Sequence, residues 1–246
     1  MPPKYDGARR EPLMLVFHGS GQNGDYMQRY TNFDPIAAAA GVIMVYPDAV
    51  PPAREWNTWK APEDPADERF VGDLLTSLDA RLCVDPARVY AAGYSNGGGM
   101  AQRLACDMPG RIAAVGLVGA AYFTCNERTP VIAFNGTADT FVPFGGSPEA
   151  DPGHGPAPPV SDVLAGWAKG LGCGAAPSVS RLTTEVELSV FRGCPRGDGE
   201  VQAYTIIGGG HTWPGGAFAD PRLGTTTAQV SASIAMLGFF EAYPMP

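Results

Sequence analysis

Apolar and polar positions along the 246-residue chain alternate between two kinds of segment. Short apolar runs predict buried strands, and longer stretches with apolar residues at helical spacing predict helices. The predicted strands are 13–17, 42–46, 89–92, 113–118, 131–134 and 201–207, and the predicted helices are 25–40, 68–81, 96–106, 161–171 and 226–243. This alternation is typical of α/β proteins with a mostly parallel central sheet and helices on both faces. We therefore predict one α/β domain over residues 1–246.

Two segments fit this alternation less well. Residues 181–192 predict a strand that pairs with 201–207 as a hairpin, across a turn at 193–199. The stretch at about 145–160 is rich in Gly and Pro, which disfavours the interior of any helix or strand. It follows a predicted strand at the end where open α/β sheets bind ligands. We predict either a mobile flap over the site or an inert surface loop.

Composition supports a folded enzyme and argues against several partners. Hydrophobic residues make up 45% and charged residues 17%, which is enough for a large core. A net charge of −8 argues against nucleic acid, because phosphate binding needs a basic surface. No apolar run reaches the roughly 18 residues that a membrane span needs. We expect a monomer with neither nucleic-acid nor membrane partners.

A Gly-x-Ser-x-Gly motif supplies the first candidate for chemistry. Gly93-Tyr94-Ser95-Asn96-Gly97 lies between a predicted strand and a predicted helix, the setting that a nucleophile elbow requires. Glycine at 93 and 97 relieves crowding at so sharp a turn. The helix N-terminus favours developing negative charge. We predict Ser95 as the nucleophile; the alternative is a Gly-rich turn with an incidental serine.

A serine hydroxyl needs a general base, and the chain has three histidines. His18 ends the first predicted strand, His154 lies in the Gly/Pro-rich stretch, and His211 follows the last predicted strand. Enzymes with this elbow place the base after the final strand, in the order serine, acid, histidine. His211 is therefore the predicted base, and a satisfied loop histidine is the alternative.

The acid should lie between Ser95 and His211, after a strand. Asp139 meets this condition because it closely follows the strand 131–134. The other aspartates in the interval lie in helix, turn or loop patterns: Asp107, Asp151, Asp162 and Asp198. Asp139 would fix the tautomer of His211 and stabilise its protonated form. The alternative is an aspartate that caps a turn.

An oxyanion hole would complete the site. The backbone N–H of Asn96, directly after the nucleophile, is one predicted donor. The second is the N–H of Ser20, in the loop after the first strand, with Gly19 and Gly21 as alternatives. We expect His18 to support this loop.

Aromatic residues near the predicted site suggest a cleft for an aromatic or apolar ester. We predict Trp213 as a substrate wall and further substrate contacts from Gln22, Tyr94 and Phe141. Trp59 and Tyr122 are also nearby in sequence, and core packing is the alternative for Phe141 and Tyr122. No metal or other cofactor is expected, because the histidines are scattered and His-Glu-x-x-His is absent.

Several of these segments together resemble a known family. They are His18-Gly19-Ser20-Gly21-Gln22, Trp56-Asn57, 83–90, 93–98, 104–106, 135–139 and 210–215. The chain resembles the group of feruloyl esterases and polyhydroxybutyrate-depolymerase-like enzymes, which also includes acetylxylan esterases. The resemblance implies the α/β-hydrolase fold and a triad of Ser95, Asp139 and His211. One departure concerns the two adjacent acidic residues that the family often shows before the helix preceding the nucleophile strand; here that segment reads Ala66-Asp67-Glu68-Arg69-Phe70.

The resemblance implies an ester hydrolase, and we expect a feruloyl esterase that acts on plant cell-wall esters. The alternatives are a depolymerase of 3-hydroxybutyrate or other polyesters, an acetylxylan esterase, and, in another class, an inactive hydrolase-fold binding protein. A peptidase or acyltransferase on the same scaffold is a further alternative. No appended carbohydrate-binding module is expected.

The chain has five cysteines, more than is typical of a cytosolic enzyme of this size. We predict a Cys173–Cys194 disulfide and, as a second pairing, Cys83–Cys106; the alternative is five buried thiols. The first residues carry no signal-peptide pattern, so either the protein is cytosolic or a leader has been removed. Because the family is usually exported, we expect secretion.

Overall fold

The computed structural model describes residues 1–58, 64–124, 129–151, 155–195 and 199–245. Its strands are β1 (Glu11–Phe17), β2 (Ile43–Val45), β3 (Val84–Tyr94), β4 (Ala114–Val118), β5 (Val131–Gly136), β6 (Ser147–Asp151), β7 (Gly155–Ala157), β8 (Ser178–Arg181), β9 (Val186–Val190) and β10 (Val201–Ile206). Its helices are α1 (Gly24–Thr31), α2 (Phe33–Ala40), α3 (Ala66–Arg81), α4 (Asn96–Asp107), α5 (Val160–Leu171) and α6 (Ala232–Ala242), with a 3-10 turn at Pro221–Leu223. Trp59, Cys125, His154 and Asp198 lie outside the described residues.

Eight strands form one sheet in the order β2-β1-β3-β4-β5-β10-β9-β8. Neighbours from β2 to β10 run parallel, and β9 and β8 continue the sheet antiparallel. The predicted hairpin is confirmed, because β9 pairs with β10, although residues 181–192 contribute parts of two strands. The α/β-hydrolase fold class is confirmed.

The core has two layers, one on each face of the sheet. Along β1, Leu13, Leu15 and Phe17 pack towards α3, α4 and α5, whereas Met14 and Val16 pack towards α1, α2 and α6. Successive strand residues point to opposite faces, so a strand covered on both faces must be apolar throughout. This explains why the central strands read as continuous apolar runs.

Two predicted helices have different bounds. The helix 25–40 is divided at Asn32, which has a left-handed φ of 53°. Pro35 lacks an N–H, and in a continuous helix its ring would clash with the carbonyl of Thr31. The first helix therefore ends at Thr31, and α2 begins at Phe33. The last helix begins at Ala232 rather than 226, because Ser231 caps it by accepting the N–H of Ile234 and residues 225–227 instead bond to the His211 loop.

The Gly/Pro-rich stretch contains a small antiparallel pair, β6 and β7, so the prediction that it excludes strands was wrong. Gly146, directly before β6, has a φ of 78°, and an added Cβ there would lie 2.6 Å from the carbonyl oxygen of Ala157 at the end of β7, so this close approach requires glycine. In a two-stranded pair each strand has one unpaired edge. A proline whose nitrogen faces that edge removes no hydrogen bond between the strands. Movement of this stretch over the site stays a prediction.

The cysteines pair only partly as predicted. Cys173 and Cys194 form a disulfide that joins the end of α5 to the segment after β9, as expected. Cys83 is free and Cys106 is disulfide-bonded, so the predicted Cys83–Cys106 pair was wrong. Cys83 precedes β3 and Cys106 lies on α4, and proximity along the chain does not determine which thiols face each other. In the described part of the chain, no helix is long and apolar enough to cross a membrane.

Candidate active site

The turn from β3 into α4 holds Ser95 in a strained conformation, with φ 53° and ψ −124°. An added Cβ on Gly93 would lie 2.0 Å from the carbonyl oxygen of Gly97, and one on Gly97 would lie 2.3 Å from that of Phe17. Both positions therefore require glycine. The crowding comes from the first turn of α4 and from β1, and it fixes the serine at the carboxyl edge of the sheet.

His211 and Asp139 meet at the same edge. The Asp139 Oδ2 atom lies 2.7 Å from the His211 Nδ1 atom, and both side chains are almost fully buried. The Oδ1 atom of Asp139 accepts the N–H groups of Phe141 and Val142, both at 2.8 Å. The carboxylate is thus held by its own loop. The imidazole is oriented through Nδ1, which leaves Nε2 as the nitrogen able to exchange a proton with another group.

The space around the His211 ring is shaped by two residues beside Ser95. Tyr94 donates its hydroxyl to the carbonyl oxygen of His211 at 2.5 Å, with the two rings 5.0 Å apart. Gly119, after β4, has φ 57°, and an added Cβ there would lie 2.9 Å from the His211 ring. One signal for Gly119 was present in the sequence, a glycine directly after a predicted strand. Tyr94 is buried, so its predicted substrate contact is corrected: it holds the His211 loop instead.

The loop after β1 lies directly beside the serine. An added Cβ on Gly19 would be 3.4 Å from the Ser95 Cβ atom. Gln22 Oε1 accepts the Gly19 N–H at 3.0 Å, so this side chain closes the loop, a role the sequence did not indicate. The N–H of Gly21 donates to the Arg54 carbonyl oxygen. Within the described residues, Ser20 N–H has no acceptor.

His18 supports this loop from the protein interior, as expected. Its side chain is fully buried; Nδ1 donates to the Gly19 carbonyl oxygen at 2.8 Å, and Nε2 accepts the Ala49 N–H at 3.0 Å. An imidazole that accepts through Nε2 must be neutral. Burial lowers the pKa of His18, which agrees with that state.

The Asn96 side chain links the elbow to the loop before α3. Its Oδ1 accepts the Trp56 N–H at 2.7 Å, and its Nδ2 donates to the Trp56 carbonyl oxygen at 3.0 Å. The Trp56 indole N–H then donates to the carbonyl oxygen of His18 at 3.0 Å. The sequence analysis predicted a role for the Asn96 backbone N–H, as an oxyanion donor, and none for its side chain. Nearby, Asp67 accepts the Asn57 N–H at 2.6 Å, which gives one member of the acidic pair a structural role.

The predicted aromatic wall is only partly present. Trp213 is fully buried, donates its indole N–H to Ser233 and packs against Phe33, so the prediction of a substrate wall was wrong. Its apolar ring is more favourable in the core beneath the His211 loop than at a surface. Phe141 is 59% exposed and stacks on the His211 ring, with centroids 5.1 Å apart.

One group of potential metal ligands lies within the described residues: Cys173, Cys194 and Glu200. Both sulfurs are consumed in the disulfide. A disulfide sulfur is not a thiolate, the form that binds metal ions. This group therefore does not offer a metal site in the oxidised protein.

Comparisons with known proteins show which family and fold the chain shares. The sequence model of the family described as Esterase PHB depolymerase matches residues 1–134. NocK of Nocardia uniformis subsp. tsuyamanensis, which is named as an esterase, is 32% identical over 93% of this chain and 73% of that protein. Feruloyl esterase B of Piromyces equi is 27% identical over 85% of this chain and 41% of that protein. The solved structure of acetyl xylan esterase from Aspergillus awamori has a TM-score of 0.65 at 15% identity, covering 86% of this chain and 87% of that one.

These similarities differ in what they establish. The structural neighbour shows the fold alone, and this chain spans less than half the length of the Piromyces protein. The family model covers more than half of this chain, and the Nocardia relative is similar over nearly all of it. The chain therefore belongs to the Esterase PHB depolymerase family and is a carboxylic ester hydrolase with the α/β-hydrolase fold.

Proposed function

We propose that the chain is a serine esterase in which Ser95, His211 and Asp139 form the catalytic triad. The observation that carries this proposal is the 2.7 Å contact between Asp139 and His211 at the sheet edge that also presents Ser95. Asp139 keeps the proton of the neutral imidazole on Nδ1, so Nε2 is free to act as the base. The chemistry is then acyl transfer in two steps.

In the first step, Ser95 Oγ attacks the ester carbonyl carbon while its proton moves to His211 Nε2. The carbonyl oxygen becomes an oxyanion, which the N–H groups of Asn96 and Ser20 bind. Both groups support this role: Asn96 N–H is in the first turn of α4, where helical N–H groups lack intrahelical acceptors, and Ser20 N–H has no acceptor within the described residues. The bond to the alcohol then breaks, and the alcohol takes the proton from His211.

In the second step, water gives a proton to His211 Nε2 and attacks the acyl carbon. The bond to Ser95 Oγ breaks, Oγ recovers the proton from His211, and the acid is released. Asp139 stabilises the imidazolium in both steps without becoming protonated.

For the substrate, we propose a feruloyl ester of plant cell-wall polysaccharide. Support comes from the similarity to Feruloyl esterase B and from Phe141, an exposed ring stacked on His211 that offers a hydroxycinnamoyl group a surface to stack on. A polyester substrate is the second candidate, favoured by the family match. We further propose that the enzyme is secreted and monomeric; the Cys173–Cys194 disulfide supports secretion.

The first experiment compares Ser95→Ala with the unchanged enzyme on 4-nitrophenyl acetate. We expect activity to fall by several powers of ten, because the nucleophile is lost while the oxyanion donors stay. Ser161→Ala, at an exposed serine on α5, is the matched control and should retain full activity. Half of the original activity in Ser95→Ala would exclude the triad.

A second experiment tests the substrate. Phe141→Ala should lower kcat/KM for methyl ferulate by about 10-fold and leave that for ethyl acetate nearly unchanged, since ethyl acetate has no ring to stack. A side-by-side assay with a 3-hydroxybutyrate oligomer separates the two candidates. Equal loss on all substrates would contradict a role for Phe141 in recognising the aromatic acyl group.

A further inference from the structure

A cluster of three aromatic rings lies beside the proposed site and has no part in the mechanism above. Its members are Tyr26, Tyr30 and Phe218. The ring centroids are 5.3 Å apart for Tyr26 and Tyr30, 5.4 Å for Tyr26 and Phe218, and 5.0 Å for Tyr30 and Phe218. Tyr30 is fully buried, Tyr26 is partly buried, and Phe218 is 41% exposed. The cluster therefore presents the Phe218 ring, with part of Tyr26, to solvent.

The backbone that leads to Phe218 is fastened to Tyr30. The Ala217 N–H donates to the Tyr30 carbonyl oxygen at 2.9 Å, and the Trp213 N–H donates to the Tyr30 hydroxyl at 2.8 Å. Gly216 lets the tyrosine ring approach closely, because an added Cβ there would lie 3.1 Å from the Tyr30 Cε2 atom. An exposed ring held in this way is preorganised, so a ligand that stacks on it has little of the protein left to order.

The cluster is built from the continuations of the two loops that flank Ser95. Tyr26 and Tyr30 lie on α1, which begins just after the loop proposed to bind the oxyanion. Phe218 lies on the segment that follows the His211 loop. Ring contacts also join the cluster to the proposed base, because the Tyr30 ring lies 5.6 Å from Tyr94, and the Tyr94 ring lies 5.0 Å from His211.

Phe141 and Phe218 lie at the two ends of this series of rings. Phe141 contacts the His211 ring directly, whereas Phe218 is connected to it through Tyr30 and Tyr94. An ester carries two groups on its reacting carbon, the acyl chain and the alcohol oxygen, and they leave the reaction centre in different directions. Because Phe141 is proposed to contact the acyl group, the Phe218 end of the series is available to the alcohol.

Polar groups beside the exposed rings indicate the chemistry of that alcohol. Within the described residues, the Tyr26 hydroxyl has no hydrogen-bond partner. Burial raises the pKa of Tyr26, and the Asp220 carboxylate adds to this shift, so the hydroxyl stays a neutral donor. Asp220 also holds the exposed Arg222 guanidinium at 2.6 Å. An aromatic face with a phenol and a guanidinium nearby suits a sugar, whose C–H face packs on the ring while its hydroxyls form hydrogen bonds.

We propose that Phe218 and Tyr26 form a subsite for the sugar that carries the ester, which is the alcohol part of the substrate. This inference rests on the proposed function, the hydrolysis of feruloyl esters of cell-wall polysaccharide by Ser95. In the subsite the sugar ring stacks on Phe218, and the Tyr26 hydroxyl donates to a sugar hydroxyl. The sugar makes these contacts in the ground state and the transition state alike, so the subsite increases affinity without changing the chemical step.

The test compares methyl ferulate with a feruloyl ester of an arabinoxylan oligosaccharide, because the two share the acyl group and differ in the alcohol. Phe218→Ala should raise KM for the oligosaccharide ester by about 10-fold, with kcat changed by less than about 2-fold, and should leave both constants for methyl ferulate unchanged. Tyr26→Phe, which removes one hydrogen bond, should raise the same KM by about 3-fold. Phe70→Ala is the matched control, because this phenylalanine on α3 is also 41% exposed, and it should change neither substrate.

Inhibition by the unesterified oligosaccharide is a second measurement, and it does not require cleavage of a feruloyl ester. With ethyl acetate as the substrate, the inhibition constant should be about 10-fold higher for Phe218→Ala than for the unchanged protein. The rate on ethyl acetate without inhibitor shows that each variant is folded.

Three results would overturn the inference. The first is a Phe218→Ala enzyme with an unchanged KM for the oligosaccharide ester and an unchanged inhibition constant. The second is an equal rise in KM for both ferulates, which would show that the ring only supports the fold. The third is a rise in KM for a 3-hydroxybutyrate oligomer alone, which would assign the ring to a polyester.

Ser95→Ala, measured in the same series, separates these failures from failure of the proposed function. If Ser95→Ala is inactive and the unchanged protein cleaves methyl ferulate, any of the three results removes only the sugar subsite. An active Ser95→Ala enzyme would instead remove the proposed function on which the subsite rests.

Discussion

Two buried histidines at the same edge of the sheet contrast in how the fold uses them. His18 places both ring nitrogens against backbone groups, the Gly19 carbonyl and the Ala49 N–H. His211 places one nitrogen against a carboxylate, Asp139, and keeps Nε2 for other partners. A ring with both nitrogens committed to the backbone can only hold structure together. A ring with one nitrogen on a carboxylate can accept and release a proton.

The contrast extends to the loops around them. The His18 loop is fixed by backbone bonds and by the Asn96–Trp56 contacts, and it offers an N–H group at Ser20. The His211 loop is fixed by Tyr94 from below and covered by the exposed ring of Phe141. This difference supports the proposed roles of the two loops, oxyanion binding for the first and proton transfer for the second.

The largest expected effect is on the His211 side. His211→Gln should lower kcat by roughly 10⁵- to 10⁶-fold, because the base is lost. Its unfolding free energy should change by less than about 1 kcal/mol, since glutamine can keep a hydrogen bond to Asp139. Activity assays and urea unfolding of the same preparation measure both quantities. An active His211→Gln enzyme would show that His211 is not the base, and the contrast with His18 would be wrong.

Asp139→Asn should have the next largest effect, a fall in kcat of roughly 10³- to 10⁴-fold, because an amide can hold the imidazole in the wrong tautomer. Asp162→Asn, at an exposed position in the first turn of α5, is the control for an aspartate distant from His211 in sequence. Unchanged kcat in Asp139→Asn would show that the Asp139–His211 contact is structural.

On the other side of the contrast, His18→Phe should lower activity by only about 10- to 100-fold. It should cost about 1–3 kcal/mol of stability, because the buried Ala49 N–H loses its acceptor. Urea unfolding and kcat/KM are the measurements. If the variant were as stable as the unchanged protein and as inactive as His211→Gln, His18 would be a proton-transfer residue and the contrast would be wrong.

The smallest effect is a pH dependence of stability. Burial lowers the pKa of His18 from 6.5; the carbonyl of Gly19 and the carboxylate of Asp48 oppose this shift, and Arg54 adds to it. A lowered folded-state pKa means that the unfolded chain binds the proton more readily. The contribution of His18 to stability is thus complete above pH 6.5 and decreases as the pH falls towards the folded-state pKa, by at most about 1.4 kcal/mol per pH unit.

Unfolding in urea at pH 7.5 and pH 5.5 measures this dependence. The difference between the two pH values should be smaller in His18→Phe than in the unchanged protein, since the variant lacks the titrating group. An identical difference in both proteins would show that His18 does not titrate with unfolding in this range.

Much of the site was predictable from local patterns. The glycine at 93, the apolar run before it and the helix after it require no knowledge of distant residues, because the crowding at Gly93 comes from the carbonyl of Gly97, four positions away. The need for glycine at 97 comes instead from the carbonyl groups of Phe17 and His18 on the neighbouring segment. Asp139 and His211 were predictable as a pair because parallel strands bring their carboxyl ends to one edge of the sheet. The division of the helix at Asn32 could also have been predicted from Pro35, which disfavours a continuous helix through this position.

Other features depend on contacts between residues far apart in the chain. Trp213 is next but one to His211, yet only packing shows that its ring lies in the core and that Phe141 is the exposed one. Tyr94 and His211 are separated by 117 positions, and Gln22 and Asn96 contribute through contacts that no spacing encodes. The same holds for the thiols, where Cys83 is free although Cys106 is bonded.

The sequence by itself thus determined the fold class, the nucleophile elbow and the residues able to act as acid and base. These follow from apolar periodicity and from steric limits that act over a few residues. Only the tertiary structure decided which histidine keeps a free nitrogen, which aromatic ring faces solvent and which tyrosine hydroxyl holds the His211 loop. Those properties depend on burial and on distances between separate elements, which are fixed when the sheet and its two helix layers pack together.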